Sequence, residues 1–477
     1  MKTSEKIIDQ IYINGQFKKP HGKERFELIN PSTGQHRGWV VLGDDTDAKE
    51  AVAAAKTAFL SFSQTTVTER ATLLTRLHEA LAGRRQDLIA AMLEEYGGAR
   101  PFVEMAVNMA INTPLEVRRT LESYAFVRPV NRSKIAMEPV GVAALITPWN
   151  SNAGFIVGKF STALAAGCTT VIKPSEMSAT QTQIVLEAVH AAELPPGLFN
   201  LVNGRGDVVG AEFTRNKDVA KISFTGSTAV GKTIARDAAA TLKRVTLELG
   251  GKSPNILLDD ADFAAAIPQA IGAAFMNNGQ ACIAGTRLLV PRNRLEEVKG
   301  LLLKAVARVK VGNPAQDPQV NVGPMVNEKQ YERVQNYIRK GIEEGAELLV
   351  GGPGLPEGLT QGYFTKPTVF VNVRNDMTIA REEIFGPVLS VLVYDSVDQA
   401  VEIANDTDYG LQSYITTRDP RQAQELARRL QTGRVLINSP EHDPQVPFGG
   451  FKQSGIGREF GVAGLESYLE PKSILGE

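Results

Sequence analysis

The chain has 477 residues and a formal net charge of −1, and 43% of its residues are hydrophobic and 22% charged. These proportions are typical of a soluble globular protein with two or three folding units. The near-neutral charge and the absence of Lys/Arg runs exclude a typical nucleic-acid binder. No segment approaches the roughly 18 uninterrupted apolar residues that a membrane span needs.

The N-terminal stretch "MKTSEKIIDQIYINGQF" contains no apolar signal region, and we therefore expect a cytoplasmic protein. The only cysteines, Cys168 and Cys282, provide neither a disulfide framework nor a zinc-ligand cluster, so we expect no bound metal. Thiols that stay free fit a reducing compartment.

Residues 45–96 show a helical repeat of apolar positions, with Thr68 as a predicted cap. In the segment "FVRPVNRSKIAMEPV" apolar and polar residues alternate, which predicts a hairpin away from the core. It is followed by "VAALITPWN", "TTVIKPSE", "FNLVNG" and "KISFTGS", each an apolar strand that ends in a polar or glycine-containing loop, with helical stretches between them. Alternating strands and helices predict a parallel sheet, in which ligands bind beyond the carboxyl ends of the strands.

The second half of the chain shows the same alternation of apolar strands and helices, in "SPNILLDD", "TRLLVP", a helix near residues 293–309, "FGPVLSVLVYDS" and "GRVLINS". A second α/β domain is therefore predicted to begin near Gly250.

The segment "GSTAVGKT", residues 226–233, matches the phosphate-loop pattern of nucleoside triphosphatases. In the simpler interpretation, its glycines let a phosphate approach a helix N-terminus. A P-loop nucleoside triphosphatase is one alternative function.

Cys282 lies among small and amide side chains in "NNGQACIAG", which would leave its sulfur accessible, whereas Cys168 in "AAGCTTVIK" fits a buried strand. A free cysteine is more often structural than reactive. Of the five histidines only His442 is a candidate base for a thiol nucleophile. A cysteine hydrolase using Cys282 and His442 is a second alternative.

Eight motifs occur in order: "TPWN", "KPSE", "FTGSTAVG", "LELGGKSP", "NNGQACIAG", "EEIFGPV", "NDTDYGL" and "PFGGFKQSGIGRE". Together they resemble the NAD(P)-dependent aldehyde dehydrogenase superfamily, from "INGQF" and "NPSTG" to the C-terminus. The resemblance implies an α/β fold with a Rossmann-type dinucleotide-binding domain (1–119 and 140–249), an α/β catalytic domain (250–467) and a small β oligomerisation element (120–139 and 468–477). It also implies a homodimer or homotetramer, with an aldehyde as small-molecule substrate and neither nucleic acid nor membrane as a partner.

The resemblance implies oxidation of an aldehyde to the carboxylic acid through a thiohemiacetal and a thioester on Cys282. Glu248 corresponds to the general base, and its presence implies release of a free acid. Asn150 and the backbone N–H of Cys282 correspond to the oxyanion donors. Lys159 and Glu459 correspond to proton-relay positions, although a surface lysine and a loop ion pair explain them equally well.

The resemblance also implies a cofactor site. Lys173 and Glu176 correspond to contacts of the adenosine ribose, and Glu176 would repel a 2′-phosphate, so NAD is favoured and NADP is the alternative. The other corresponding positions are Ile146, Thr147, Pro148, Trp149, Ser175, Gly206, Gly210, Phe224, Thr225, Gly226, Ser227, Leu249, Gly250, Glu383 and Phe385.

Three departures from the family pattern concern the substrate. Ser151 and Asn152 follow "TPWN" where relatives usually have Phe-Pro, and Gly158 replaces an aromatic residue. The loop "NSPEHDPQVPF" is about one residue shorter than in some relatives, and it carries Glu441, His442 and Asp443. These differences predict a wider, more polar tunnel and a bulky, aromatic or polar aldehyde.

Overall fold

A computed structural model describes residues 6–439 and 441–476. Its strands are β1 (Lys6–Ile8), β2 (Ile11–Ile13), β3 (Gln16–Lys18), β4 (Arg25–Asn30), β5 (Gln35–Val41), β6 (Val127–Val130), β7 (Ser133–Pro139), β8 (Val142–Ile146), β9 (Thr169–Lys173), β10 (Phe199–Leu201), β11 (Val219–Thr225), β12 (Arg244–Glu248), β13 (Pro254–Leu257), β14 (Arg287–Pro291), β15 (Glu347–Val350), β16 (Thr368–Val371), β17 (Val388–Tyr394), β18 (Tyr409–Gly410), β19 (Gln412–Thr416), β20 (Arg434–Ile437), β21 (Phe451–Lys452), β22 (Gly455–Ile456) and β23 (Leu469–Ile474).

The α-helices are α1 (Asp45–Phe62), α2 (Val67–Ala82), α3 (Arg85–Glu95), α4 (Arg100–Ser123), α5 (Asn152–Ala166), α6 (Ala179–Ala191), α7 (Ala211–Arg215), α8 (Thr228–Ala238), α9 (Phe263–Phe275), α10 (Leu295–Val306), α11 (Glu328–Glu343), α12 (Thr378–Arg381), α13 (Val397–Asn405), α14 (Pro420–Arg429) and α15 (Gly461–Glu466). The predicted cap at Thr68 is wrong. Thr66 caps α2, because its hydroxyl accepts from the N–H of Glu69 while the Glu69 carboxylate accepts from the Thr66 N–H.

The first large sheet has the order β22-β12-β11-β8-β9-β10-β2-β3, and β12, β11, β8, β9 and β10 run parallel. This confirms the predicted parallel sheet. The register aligns the carboxyl ends of its central strands, since Ile146 pairs with both Lys173 and Phe224, and Thr225 pairs with Glu248. Side chains that follow these strands therefore lie along one edge of the sheet.

The second large sheet has the order β15-β16-β17-β14-β13-β19-β20 and is parallel except for β15. Its first strand in the chain, β13, starts at Pro254, near the predicted beginning of the second α/β unit. The two halves are also joined by β22, which pairs antiparallel with β12 beside Glu248.

The predicted hairpin consists of β6 and β7, and β23 pairs with β7 along its whole length, from Leu469 opposite Pro139 to Ile474 opposite Lys134. These three strands form a separate small sheet. Both cysteines are free, Cys168 buried and Cys282 partly accessible. Within the described ranges, no helix is long and apolar enough to span a membrane.

Candidate active site

The loop that carries Cys282 follows α9 through a strained turn. Asn277 and Asn278 adopt left-handed backbone angles, with φ of 50° and 62°, which asparagine tolerates better than most residues. Gly279 has φ of 72°, and a Cβ there would lie 2.2 Å from the carbonyl carbon of Gly386, so only glycine fits. The Asn278 side chain donates to Gly97 O at 2.8 Å and accepts from the Gly323 N–H at 2.7 Å. The small and amide residues of "NNGQ" thus set the path of the backbone towards the thiol.

The Cys282 thiol is half-buried, and its neighbourhood is acidic. Burial, together with the charges of Glu383 and Glu248, raises the pKa of the Cys282 thiol to about 12, although the backbone N–H groups of Cys282 and Ile283 act to lower it. The free protein therefore holds this group as a thiol near neutral pH, and its proton must leave when it attacks.

Asn150 lies next to the thiol loop. Its Nδ2 donates to the backbone carbonyl of Gln280 at 2.9 Å, and the Nδ2 of Asn277 donates to the same oxygen at 3.1 Å. An amide nitrogen has two N–H donors, so one N–H of Asn150 remains for a ligand. Asn150 is thus fixed by the backbone two residues before Cys282.

Glu248 ends β12 as a buried carboxyl group with 3% exposure. Neither of its oxygens has a hydrogen-bond partner within the described part of the chain. Burial raises the pKa of Glu248 well above the ordinary glutamate value; the charge of Glu459 raises it further, while Lys159 and Arg458 act against the shift. An unpartnered buried carboxyl group is costly, so its retention points to a chemical role.

Lys159 on α5 forms an ion pair with Glu459, and both groups contact Ser223. The Lys159 Nζ donates to Ser223 Oγ at 2.9 Å, and Ser223 Oγ donates to Glu459 Oε1 at 3.1 Å. The Lys159 side chain is only 2% exposed, so the interpretation of this residue as a helix-surface lysine is wrong. The structure joins the two predicted relay positions and places their charges close enough to act on Glu248.

The predicted adenosine side of the cofactor site follows β8 and β9. Lys173 Nζ donates to Glu176 Oε2 at 3.0 Å, and Ser175 caps the short helical turn that contains Glu176. On the neighbouring strand, Ile146 ends β8 and is followed by Thr147, Pro148 and Trp149. Gly210, which closes the turn that begins at Gly206, lies against Ile146, since a Cβ there would be 3.9 Å from Ile146 Cδ1.

The predicted pyrophosphate side follows β11. Phe224 and Thr225 end the strand, and Gly226 and Ser227 lead into α8, whose N-cap is Ser227. The Thr225 hydroxyl is buried and has no partner in the residues described. A helix N-terminus with free N–H groups beside an unpaired hydroxyl fits a phosphate group, as the NAD pyrophosphate requires.

The predicted nicotinamide side lies between Glu383, Phe385 and the residues after β12. Glu383 Oε1 accepts from the Gly251 N–H at 3.1 Å, and a Cβ at Gly250 would lie 2.6 Å from Glu383 Oε2. Burial raises the pKa of Glu383 to about 7. Phe385 packs edge-on to Trp149 with 5.8 Å between ring centroids. Leu249, which follows Glu248, is buried.

The residues of "GSTAVGKT" do not form a phosphate loop. Helix α8 already begins at Thr228, so Gly231, Lys232 and Thr233 are helical instead of wrapping around a phosphate. Lys232 is exposed and donates to Gln453 Oε1 at 2.8 Å. This geometry gives no support to the triphosphatase alternative.

His442 does not serve Cys282 as a base in this arrangement. Its Nδ1 lies 2.9 Å from Nη1 of Arg434, which must be the donor, and its ring packs against Phe460. Burial and the Arg434 charge lower the pKa of His442 to about 4. The cysteine-hydrolase alternative therefore lacks its second catalytic group.

Of the three departures near the predicted tunnel, Asn152 is not a tunnel residue. It is completely buried, where Oδ1 accepts from Thr147 Oγ1 at 2.6 Å and Nδ2 donates to Thr182 Oγ1 at 2.9 Å. Ser151 and Gly158 are half-buried, and a Cβ at Gly158 would meet only Thr113, at 3.9 Å. Open space at Gly158 is consistent with the predicted wide tunnel, whereas Asn152 contributes no polarity to it.

Several residues near the site were missed in the sequence. Lys221 and Ser223 alternate with apolar residues in strand β11 and lie on the same face as the predicted cofactor residue Thr225. The buried Lys221 donates to Thr246 Oγ1 at 2.7 Å, and burial lowers its pKa to about 7. The alternation was a usable signal. Arg434, by contrast, is placed beside Phe448 and His442 only by tertiary structure.

Comparisons with known proteins identify the family of the chain. The aldehyde dehydrogenase family model matches residues 17–474. Aldehyde dehydrogenase C of Pseudomonas syringae, solved with NAD+ and octanal, is 45% identical, with a TM-score of 0.97 and coverage of 99% of this chain and 98% of that chain. A Mycobacterium tuberculosis aldehyde dehydrogenase complexed with NAD+ is 39% identical, with a TM-score of 0.96 and 99% coverage of each chain. Betaine aldehyde dehydrogenase of Staphylococcus aureus, in complex with NAD+, is 34% identical, with a TM-score of 0.94 and coverage of 98% and 94%. The chain belongs to the aldehyde dehydrogenase family and is an NAD-dependent member of it.

Proposed function

We propose that the enzyme oxidises its aldehyde to a free carboxylic acid through covalent intermediates on Cys282, with Glu248 as the general base. The observation that carries the proposal is the buried Glu248 carboxyl group, which has no partner within the described residues and whose charge acts on the Cys282 thiol. A nucleophile and a base with a raised pKa at one sheet edge suit attack followed by hydrolysis.

In the first step the partly accessible Cys282 thiol transfers its proton to solvent water and its sulfur bonds to the aldehyde carbon. The carbonyl oxygen becomes an oxyanion, which the free N–H of Asn150 and the backbone N–H of Cys282 stabilise. Such donors are commonly worth about 3 kcal/mol each, because they are oriented before the charge develops. The hydrogen bond from Asn150 to Gln280 O supplies that orientation.

When bound, NAD+ accepts the hydrogen and two electrons that the thiohemiacetal carbon loses, which leaves a thioester on Cys282. The residues that would hold it are Lys173 and Glu176 on one side, Thr225 and Ser227 in the middle, and Glu383 and Phe385 near the thiol. Glu176 beside Lys173 favours NAD, because a 2′-phosphate would meet the Glu176 carboxylate.

In the last step ionised Glu248 takes a proton from a water molecule, the hydroxide attacks the thioester carbon, and the acid leaves as the Cys282 sulfur regains a proton. Burial makes Glu248 a stronger base than an exposed glutamate once it is ionised. The Lys159–Glu459 pair adjusts the charge around Glu248 and supplies a proton path through Ser223.

For the substrate we propose a bulky, aromatic or polar aldehyde. Arg434 supports the polar part, because it is half-buried above the Phe448 ring and has His442 but no carboxylate as a side-chain partner within the described chain. A cation that forms no hydrogen bond to a carboxylate in the described residues disfavours a cationic aldehyde of the betaine type and favours a polar or anionic one, even with the charge of Asp443 acting on it. The open space at Gly158 and the rings of Phe448 and Phe460 support the bulky or aromatic part.

We also propose a homodimer or homotetramer built through the small sheet of β6, β7 and β23. Its apolar residues Val127, Val130, Ile474 and Leu475 are exposed, which supports burial against another copy. The free thiols support the cytoplasm as its compartment.

The chemical proposal is tested by Cys282→Ala, with Cys168→Ala as the matched control. We expect Cys282→Ala to abolish aldehyde-dependent NADH formation while NAD+ still binds, and Cys168→Ala to retain turnover. Retained turnover in Cys282→Ala would refute the nucleophile. A panel of aromatic, carboxylate-bearing and alkyl aldehydes, octanal included, tests the substrate class, and faster turnover of short alkanals than of all other members would refute it.

A further inference from the structure

A cavity of about 390 Å³ borders the thiol loop at Met276 and Asn277. It is an open pocket lined by the start of α4, the helices α9 and α10, and residues 321 and 322. None of Cys282, Glu248 or Asn150 lines it. Its volume falls in the range of small-molecule sites in proteins.

The wall of the cavity is apolar and its rim carries nitrogen donors. Phe102, Ile271, Phe275 and Val322 supply apolar surface, and no Asp or Glu is among the lining residues. Arg308, which is exposed at the rim, brings one positive charge. An apolar pocket with a cation and no carboxylate matches a molecule with a hydrocarbon body and an anionic head.

Asn321 is a second lining residue with side-chain N–H donors. Its Oδ1 accepts from the N–H of Lys310 at 2.8 Å, a bond that uses none of the Nδ2 donors. A guanidinium and an amide on one rim suit the two oxygens of a carboxylate.

Asn277 connects this cavity to the catalytic centre. It lines the cavity with only 2% exposure, and its Oδ1 has no partner among the described residues. Its Nδ2 donates at 3.1 Å to Gln280 O, the oxygen that also accepts from Asn150. A molecule that displaces Asn277 therefore disturbs the acceptor that orients Asn150.

We propose that this cavity is an effector site for an amphipathic monocarboxylate, whose head binds Arg308 and Asn321 and whose chain packs on Phe102, Ile271 and Phe275. Binding of the acid displaces Asn277 and allows the backbone carbonyl of Gln280 to move. Asn150 is then oriented less well, so kcat falls without competition between the acid and the aldehyde. The acid product of the reaction and unrelated aliphatic acids share this chemistry.

Two substitutions change the cavity and spare the active site. Gly272→Leu fills it from α9, where a Cβ would meet nothing within 4 Å. Arg308→Gln removes the charge and keeps most of the volume. Lys304→Gln is the matched control, because it removes one exposed charge from α10 outside the cavity.

Direct binding is measured by calorimetry on the full-length enzyme with NAD+ bound, using octanoate and the neutral 1-octanol as probes. We expect Arg308→Gln to weaken octanoate binding about tenfold, the loss of one charge-assisted contact, and Gly272→Leu to abolish it at this site. Lys304→Gln should bind octanoate as the unmodified enzyme does. Equal binding of 1-octanol and octanoate, or unchanged binding in both cavity variants, would overturn the proposal.

The rate effect is measured separately. Octanoate should lower kcat with the aldehyde KM unchanged, and this effect should disappear in Gly272→Leu and Arg308→Gln; purely competitive inhibition would refute the coupling. The same titration with the acid formed from the best substrate distinguishes feedback from a response to other acids. Because binding is read without turnover, failure of the catalytic mechanism leaves the binding result interpretable. If Gly272→Leu does not fold, the octanoate binding of Arg308→Gln alone tests the proposed effector site.

Discussion

The side chain of Asn150 donates to the backbone carbonyl of Gln280 at 2.9 Å. This hydrogen bond connects the loop after β8 to the loop that carries Cys282, in the other half of the chain. One oxygen thus fixes the direction of the amide that we propose as an oxyanion donor. Orientation before the reaction is what makes an oxyanion donor effective.

Asn150→Ala should lower kcat by about 100-fold, because one preorganised donor is lost when the oxyanion forms. The measurement is steady-state NADH formation at saturating aldehyde. NAD+ affinity and the rate of Cys282 alkylation by iodoacetamide serve as controls and should change little. A kcat within about threefold of the unmodified enzyme would show that Asn150 is only a turn residue.

Glu248→Gln should separate the two halves of the reaction. Thioester formation should persist as a burst of NADH, while hydrolysis slows, because glutamine cannot take a proton from water. Removing the Glu248 charge should also lower the pKa of Cys282, since that charge raises it. Alkylation of the thiol should therefore shift to lower pH. A full steady-state rate without a burst would contradict the assignment.

The pH dependence of hydrolysis should follow Glu248. Its pKa is raised, and only the ionised form is a base, so the rate should fall as pH falls through a pKa above the ordinary glutamate range. Lys159→Met should move this profile to higher pH and Glu459→Gln to lower pH, because Lys159 lowers and Glu459 raises the Glu248 pKa. Shifts in the same direction would contradict this electrostatic account.

Glu176→Gln should increase the use of NADP. Removing the carboxylate beside Lys173 leaves the lysine free for a 2′-phosphate, and a gain of about tenfold in kcat/KM for NADP corresponds to 1.4 kcal/mol. Parallel titrations with NAD and NADP measure it. Lys173→Gln is the matched control, and it should not increase kcat/KM for NADP.

Lys232→Ala should leave dehydrogenase activity nearly unchanged. Lys232 is exposed on α8, and its ammonium donates to Gln453, which is not a predicted catalytic residue. Aldehyde-dependent NADH formation is the readout. Magnesium-dependent ATP hydrolysis that disappears in this variant would restore the triphosphatase alternative.

The sequence by itself determined the strands and the order of the motifs, and it predicts Cys282 as the nucleophile. Apolar runs that end in "TPWN", "KPSE" and "FTGS" predict parallel strands because burial on both faces selects such runs, and the structure has β8, β9 and β11 there. The positions of these motifs along the chain, however, did not indicate which side chains would contact one another in the folded protein. The alternation of Lys221 and Ser223 with apolar residues in β11 is a local sequence pattern, so these two residues could have been predicted from the sequence.

Only the tertiary structure decided which residues meet. It pairs Lys159 with Glu459, 300 positions apart in the chain, leaves Glu248 without a partner in the described residues, and turns Asn152 inward. It also makes "GSTAVGKT" part of a helix, although the pattern alone resembles a phosphate loop. Burial and charge depend on neighbours that are distant in sequence, so the pKa shifts that distinguish a base from a buried carboxyl group arise only in the folded chain.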